Sequence, residues 1–158
     1  MRPVAVFDLD GTLADVHHRV HHVEGSPKRW GAFFAEAVDD PPLDTGVALL
    51  REAARDCDIA YVTGRPEHCR ADTVAWLARH DLPVGALHMR PLRDHRPGRQ
   101  AKLELLRGLA AERVVAVVVD DDPQVCDAYE QAGFAVLRAT WAAGSAALRR
   151  AQEVEGRT

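Results

Sequence analysis

Five short apolar runs, Pro3–Leu9, Asp58–Val62, Pro83–His88, Arg113–Val119 and Phe134–Arg138, alternate along this chain with segments of helical periodicity. The runs lack a clean in–out alternation, which marks strands covered on both faces, as in a parallel sheet between layers of helices. The first helical pattern is Val47, Leu49, Leu50, Ala53 and Ala54, with Asp44 or Thr45 as its N-cap. Pro66 suits the first turn of a second helix, running through Trp76 and Leu77 to about His80. Two more follow at Gln100–Ala111 and Pro123–Ala132, the last capped by Asp122 and closed by Gly133. This order predicts an α/β fold with a Rossmann-like doubly wound parallel sheet. The 158 residues suit a single domain, 1–158.

One segment breaks the alternation. Between Asp15 and Pro42 lie only a histidine-rich stretch, a Gly25-Ser26-Pro27 break and an amphipathic helix. Trp30, Phe33, Phe34, Ala37 and Val38 form the apolar stripe of that helix. The stripe either simply packs on the domain or makes residues 15–42 a small flap over the end of the first strand. The tail after Trp141 reads as a closing helix with a frayed, polar end.

Hydrophobic residues make up 47% of the chain and charged residues 28%, a balance that excludes a disordered polymer. No run approaches the ~20 apolar residues of a membrane span, and the N-terminus meets charge too early for a secretion signal. A net charge of −4 argues against a surface that binds nucleic acid everywhere, though it leaves room for a local basic patch. Cys57, Cys69 and Cys126 are odd in number and show no CxxC spacing, so neither a disulfide framework nor a cysteine zinc site is implied. A reducing, cytoplasmic location is the expectation.

The chemistry concentrates at strand ends. Val4-Ala5-Val6-Phe7 runs into Asp8-Leu9-Asp10-Gly11, two carboxylates two residues apart followed by a glycine. In open parallel sheets ligands bind beyond the carboxyl ends of the strands. Two acids so close resist joint ionisation unless a cation or proton intervenes, and a hard divalent ion such as Mg²⁺ resolves the conflict. The second strand ends in Thr63-Gly64-Arg65-Pro66, where a hydroxyl, backbone amides and a guanidinium suit phosphate oxygens. The same four residues also make an ordinary helix start. The fourth strand ends in Asp120-Asp121-Asp122; the third acid has a capping role, but the first two are costly without a cation. Lys102, on the preceding helix, would place a fixed positive charge near them.

These four elements, in this order, resemble the haloacid dehalogenase (HAD) superfamily of phosphohydrolases. That superfamily carries DxDGT at the first strand, a Ser or Thr at the second motif, a Lys at the third and an acidic pair at the fourth. A narrower resemblance is to the 3′-phosphatase domain of phage-type polynucleotide kinase–phosphatases. It rests on Arg19, eleven residues after Asp8, and on Thr63-Gly64-Arg65. Thr73 with Trp76, Asp94 and Arg96 ahead of Lys102, and Gln124-Val125 after the acidic pair complete it. Two departures stand out: the insertion around Trp30 is longer, and no kinase domain with its phosphate-binding loop accompanies this sequence.

The resemblance implies roles. Asp8 is the nucleophile that forms an aspartyl-phosphate, and Asp10 the general acid and then base. Asp8, the backbone carbonyl of Asp10 and Asp121 hold Mg²⁺, while Asp120 orients Lys102. Thr63 and Lys102 bind the transferring phosphoryl group, and Arg19, Gly64, Arg65 and Arg96 bind substrate. Between Arg65 and Lys102 there is no room for a large cap domain, so the site is expected to be open to the end of a polymer. His88–Lys102 holds four Arg and one Lys against one Asp, either a basic edge for flanking phosphates or a solvated loop. His17, His18, His21 and His22 invite a zinc reading, but no neighbouring carboxylate or cysteine completes it, leaving a polar flap or an adventitious metal site. The expected function is a Mg²⁺-dependent 3′-phosphatase on ends of DNA or RNA, or on 3′-nucleotides. A phosphatase of small nucleotides or sugar phosphates is the alternative, and a non-catalytic phosphate-binding module is a third reading.

Overall fold

A computed structural model describes all 158 residues. The five expected strands form one open, wholly parallel sheet: β1 (Val4–Phe7), β2 (Asp58–Pro66), β3 (Gly85–Arg90), β4 (Val115–Asp120) and β5 (Val136–Arg138). Their order is β3-β2-β1-β4-β5, with Val6 facing Ala60 on one side and Val118 on the other. Chain order reverses at β1, so the carboxyl end of the central strand opens at a topological switch point.

The unalternating apolar runs have a simple cause. Ala5, Phe7, Ile59 and Tyr61 pack on one face with Leu50 of α3 (Asp44–Ala53) and Trp76 of α4 (Arg70–Arg79). Their strand neighbours Val4, Val6, Ala60 and Val62 pack on the other. There they meet Leu106 of α5 (Gly98–Ala110) and Val125 and Tyr129 of α6 (Pro123–Gln131). Each residue of β1 therefore has apolar partners on its own face of the sheet. Val4, Ala5, Val6 and Phe7 are all buried.

Several local expectations are corrected. Position 43 is the cap of α3, with no side-chain cap bond, and Asp44 lies inside the first turn, where its charge favours the helix N-terminus. Pro66 is extended and pairs with Arg90 at the end of β2; a 3₁₀ turn, Glu67–Cys69, separates it from α4. Asp122 caps α6 as expected, accepting from the backbone N–H groups of Gln124 and Val125 at 2.8 and 3.3 Å. Gly133, with φ of 94°, ends it.

The 15–42 segment folds into short helices, α1 (His21–Glu24) and α2 (Trp30–Ala35), followed by a 3₁₀ turn at Glu36–Asp39. Val16, Val20, Val23, Phe33 and Phe34 form a third apolar cluster with Leu148 of α7 (Ala146–Arg150). The tail is not frayed. Lys28 pairs with Glu155, Arg99 with Glu153, and the Thr158 carbonyl accepts from Arg90, so Thr158 is buried. No helix is long and apolar enough to cross a membrane.

Candidate active site

β1 delivers its two acids into a tight loop. The Asp8 N–H still pairs with the Val119 carbonyl at 2.9 Å, and the N–H groups of Thr12, Leu13 and Ala14 then converge on the Leu9 carbonyl. Gly11 adopts φ of 79°, and a Cβ there would fall 2.2 Å from Asp121 Oδ2. Only glycine lets this loop meet the acidic end of β4 so closely.

Asp8, Asp120 and Asp121 bring carboxylate oxygens within 4.8 Å of one another. Lys102 Nζ reaches into this group, 3.0 Å from Asp8 Oδ1 and 2.8 Å from Asp120 Oδ2. The other Asp120 oxygen accepts from the Asp122 N–H at 2.9 Å. Asp120 is thus fully engaged, while Asp8 takes Lys102 on Oδ1 and, at 3.5 Å, the Thr12 hydroxyl on Oδ2. Burial pushes Asp8 well above the ordinary carboxylate range, and the Asp120 charge adds to the rise. Asp121 is pushed up to about 7 by the same causes. Burial alone would lower Lys102, but Asp120 and Asp8 outweigh it and keep the ammonium charged. Three acids face one base.

Asp10 has different neighbours. Its Oδ1 accepts from Arg65 Nε and Nη2 at 2.9 and 2.6 Å and from Arg19 Nη2 at 3.1 Å. Its Oδ2 is buried with no partner. Burial would raise Asp10, but Arg65 and then Arg19 overcome it and hold the carboxyl down at about 2. Behind the two guanidiniums lies Asp40, which takes Arg19 Nε and Nη2 at 2.7 and 2.8 Å, Arg65 Nη2 at 3.1 Å and His18 Nε2 at 2.7 Å. Trp76 Nε1 donates to the Asp40 carbonyl at 2.9 Å, and Arg65 Nη1 to Thr73 Oγ1 at 3.2 Å.

The structure therefore gathers Asp8, Asp10, Lys102, Asp120 and Asp121 at the end of β1. Thr63, buried at the end of β2, has its Oγ1 accepting from the Arg65 N–H at 3.1 Å, and Gly64 sits against the backbone of Thr158. Arg19 and Arg65 face Asp10 and Asp40 and present no free fork to a ligand. Arg96 lies outside the pocket, locked to Asp94 at 2.7 Å and Glu104 at 2.6 Å. Arg90 spends its donors on backbone carbonyls and Arg99 pairs with Glu153, so the expected basic edge is largely neutralised from within. Among the histidines, His22 Nε2 lies 2.9 Å from Glu36 Oε1, and His21, His22 and Glu36 cluster within 4.8 Å. The carboxylate thought to be absent arrives because the flap doubles back. Asp40 was the missed residue; nothing local distinguishes it from Asp39, because its partners come from three other segments.

The mouth is also narrower than expected. Asp10, Gly11 and Asp121 share a cavity of about 20 Å³ with His17 of the flap and with Ser145, Arg149 and Gln152 of the tail. That is room for about one water. No cap domain is present, yet flap and tail together close the end of the sheet.

Against known proteins, the sequence model described as "Polynucleotide kinase PNKP phosphatase domain" matches residues 2–142. The chain belongs to this family. It is a HAD-type phosphatase. Among solved structures, the Pnkp1/Rnl/Hen1 complex matches with TM-score 0.74 at 22% identity, covering 90% of this chain and 48% of that one. A structure of the Pnkp1/Rnl/Hen1 RNA repair complex gives 0.72 at 23%, covering 90% and 44%. A haloacid dehalogenase-like hydrolase from Streptococcus pneumoniae gives 0.65 at 16%, covering 97% and 92%. At these identities the likeness is one of fold, and this chain spans about half the length of the matched chain of that complex. No curated protein matches it.

Proposed function

We propose that this PNKP-family phosphatase is a Mg²⁺-dependent phosphomonoesterase that works through an aspartyl-phosphate and acts on 3′-phosphate ends of DNA or RNA. The observation that carries the chemistry is the division of labour between two carboxylates two residues apart. Asp8 lies among acids with Lys102 as their only base, while Asp10 keeps one oxygen locked by arginines and the other free.

The donor set fits a hard divalent cation, since the available ligands are buried carboxylate oxygens in excess of positive charge. Asp8, the Asp10 carbonyl and Asp121 would hold it, and when bound it neutralises charge on the transferring group. An Asp8 oxygen attacks phosphorus in line, and the P–O bond to the alcohol breaks. Lys102 and the Thr63 hydroxyl hold phosphoryl oxygens, the kind of contact whose loss costs ~10²-fold or more. Asp120, bonded to Lys102 at 2.8 Å, positions that ammonium.

Asp10 hands a proton to the departing alkoxide from its free oxygen, then removes one from the water that cleaves the aspartyl-phosphate. Held at about 2, Asp10 is ionised before substrate arrives. The first proton enters with the substrate, whose monoester carries one at mildly acidic pH.

The 3′-end reading draws on the family and on the likeness to a protein of an RNA repair complex. The test compares a 3′-phosphorylated oligonucleotide with 5′-mononucleotides and sugar phosphates under Mg²⁺. Preference for the oligonucleotide supports the reading, and equal or faster turnover of small sugars removes it.

A further inference from the structure

The tail from Trp141 onward contributes half of the wall of the cavity beside Asp10 and Asp121, although the family match stops at residue 142. Trp141 Nε1 donates to the Thr12 carbonyl at 2.8 Å, fastening the start of the tail to the catalytic loop. Ser145 caps α7 through the Leu148 N–H at 3.2 Å, and Leu148 packs among the flap's apolar side chains. One turn of helix later, Arg149 lines the same cavity as Asp10, Gly11 and Asp121.

Arg149 is unusual among the arginines of the site. Arg19 and Arg65 are saturated by acids, but Arg149 Nη1 is buried without any hydrogen-bond partner. Gly144 gives its guanidinium room, because a Cβ at that position would lie 3.1 Å from Nη2. Arg149 is half-buried, and its one sealed nitrogen leaves a donor unsatisfied, which is costly; the natural complement of such a fork is a tetrahedral oxyanion, which it meets with two parallel N–H donors. The cavity lining combines the carboxylates of Asp10 and Asp121 with Arg149, Gln152 and Ser145 as donors, and the Arg149 charge acts on Asp121.

We infer that Arg149 is a substrate-binding residue that grips the phosphate group beside Asp10 and Asp121, carried on a C-terminal cover that shifts to admit it. The inference rests on the phosphatase reading for its substrate class, but phosphate binding tests it separately. About 20 Å³ does not hold a phosphate, so the cover moves outward for entry. Its outer attachments suit that motion, since the Lys28–Glu155 and Arg99–Glu153 pairs are partly exposed and weakened by salt.

The experiment uses the full chain with Mg²⁺ and measures inorganic phosphate binding by calorimetry, alongside product inhibition by phosphate and KM and kcat on a phosphate monoester. Arg149→Ala is expected to weaken phosphate binding and raise KM by about 10- to 100-fold, with a smaller change in kcat. Arg149→Lys recovers part of the loss, while Arg150→Ala, on the exposed side of the same turn, stays within about twofold of wild type. A merely structural role for Arg149 would lower the melting temperature without separating KM from kcat. Unchanged phosphate affinity in Arg149→Ala, or full recovery by Arg149→Gln, overturns the inference. Wild type that binds phosphate through Arg149 but hydrolyses no ester keeps the inference and removes the phosphatase mechanism.

Discussion

The two halves of this site solve the problem of buried charge in opposite ways. Around Asp10, two acids and two guanidiniums are matched, with Asp40 behind Arg19 and Arg65 completing the count. Around Asp8, three acids share one ammonium. The first half is balanced in charge, with only Asp10 Oδ2 left without a partner. The second is short of positive charge, and the raised pKa values of Asp8 and Asp121, from burial and the neighbouring Asp120 charge, are the local expression of that shortage.

The comparison is broken most severely at Asp8. Asp8→Asn keeps the size of the side chain and should cut turnover by at least about 10⁴-fold with the fold retained, checked by steady-state assay and circular dichroism. In the matched half, Asp40→Ala strands two buried guanidiniums and should cost about 3–5 kcal/mol in urea unfolding. A loss under about 1 kcal/mol would mean that Asp40 is not the counter-ion described here.

In the unmatched half, pH is the lever. Asp121 must lose its proton to hold a metal, and its carboxyl sits at about 7, so Mg²⁺ affinity should rise about tenfold from pH 6 to pH 8 by calorimetry. The corresponding stability has the same origin. Asp121 holds its proton more tightly folded, at about 7, than at the ordinary 3.8, so metal-free protein loses stability as pH rises through that window. Asp121→Asn in EDTA at pH 8 should accordingly raise the melting temperature by a few degrees, about 1 kcal/mol, while abolishing the rise produced by Mg²⁺. The smallest effect is expected at Arg96. With both forks already paired to Asp94 and Glu104, Arg96→Ala should change KM for a 3′-phosphorylated oligonucleotide by less than about twofold.

The strands, the sheet class and the acids at strand ends were legible because they depend on periodicity and on neighbours within a few residues. Val4–Asp10 needs no distant partner to read as a buried strand meeting a charged turn. Arg19 and Arg65 were found as site residues, but toward a substrate; that Asp10 and Asp40 claim them depends on a flap returning to β1 across the sequence. The basic loop misled because charge counted along a segment ignores Glu104 and Glu153, which arrive from a helix face and from the tail. Arg149 had no local signal. In sequence it is one of two adjacent arginines on a short helix, and only the tail's attachment to Thr12 turns one of them inward.

That attachment makes Trp141 more than a fastener. Its indole sits at the joint between the catalytic loop and the cover, half-buried and bonded to a single carbonyl. Outward movement of the cover exposes the ring to water and shifts its emission to the red. Trp76, sealed in the core, stays silent, and Trp30, packed on the cluster that holds Leu148, follows the same displacement, so tryptophan emission gauges the motion inferred for the cover.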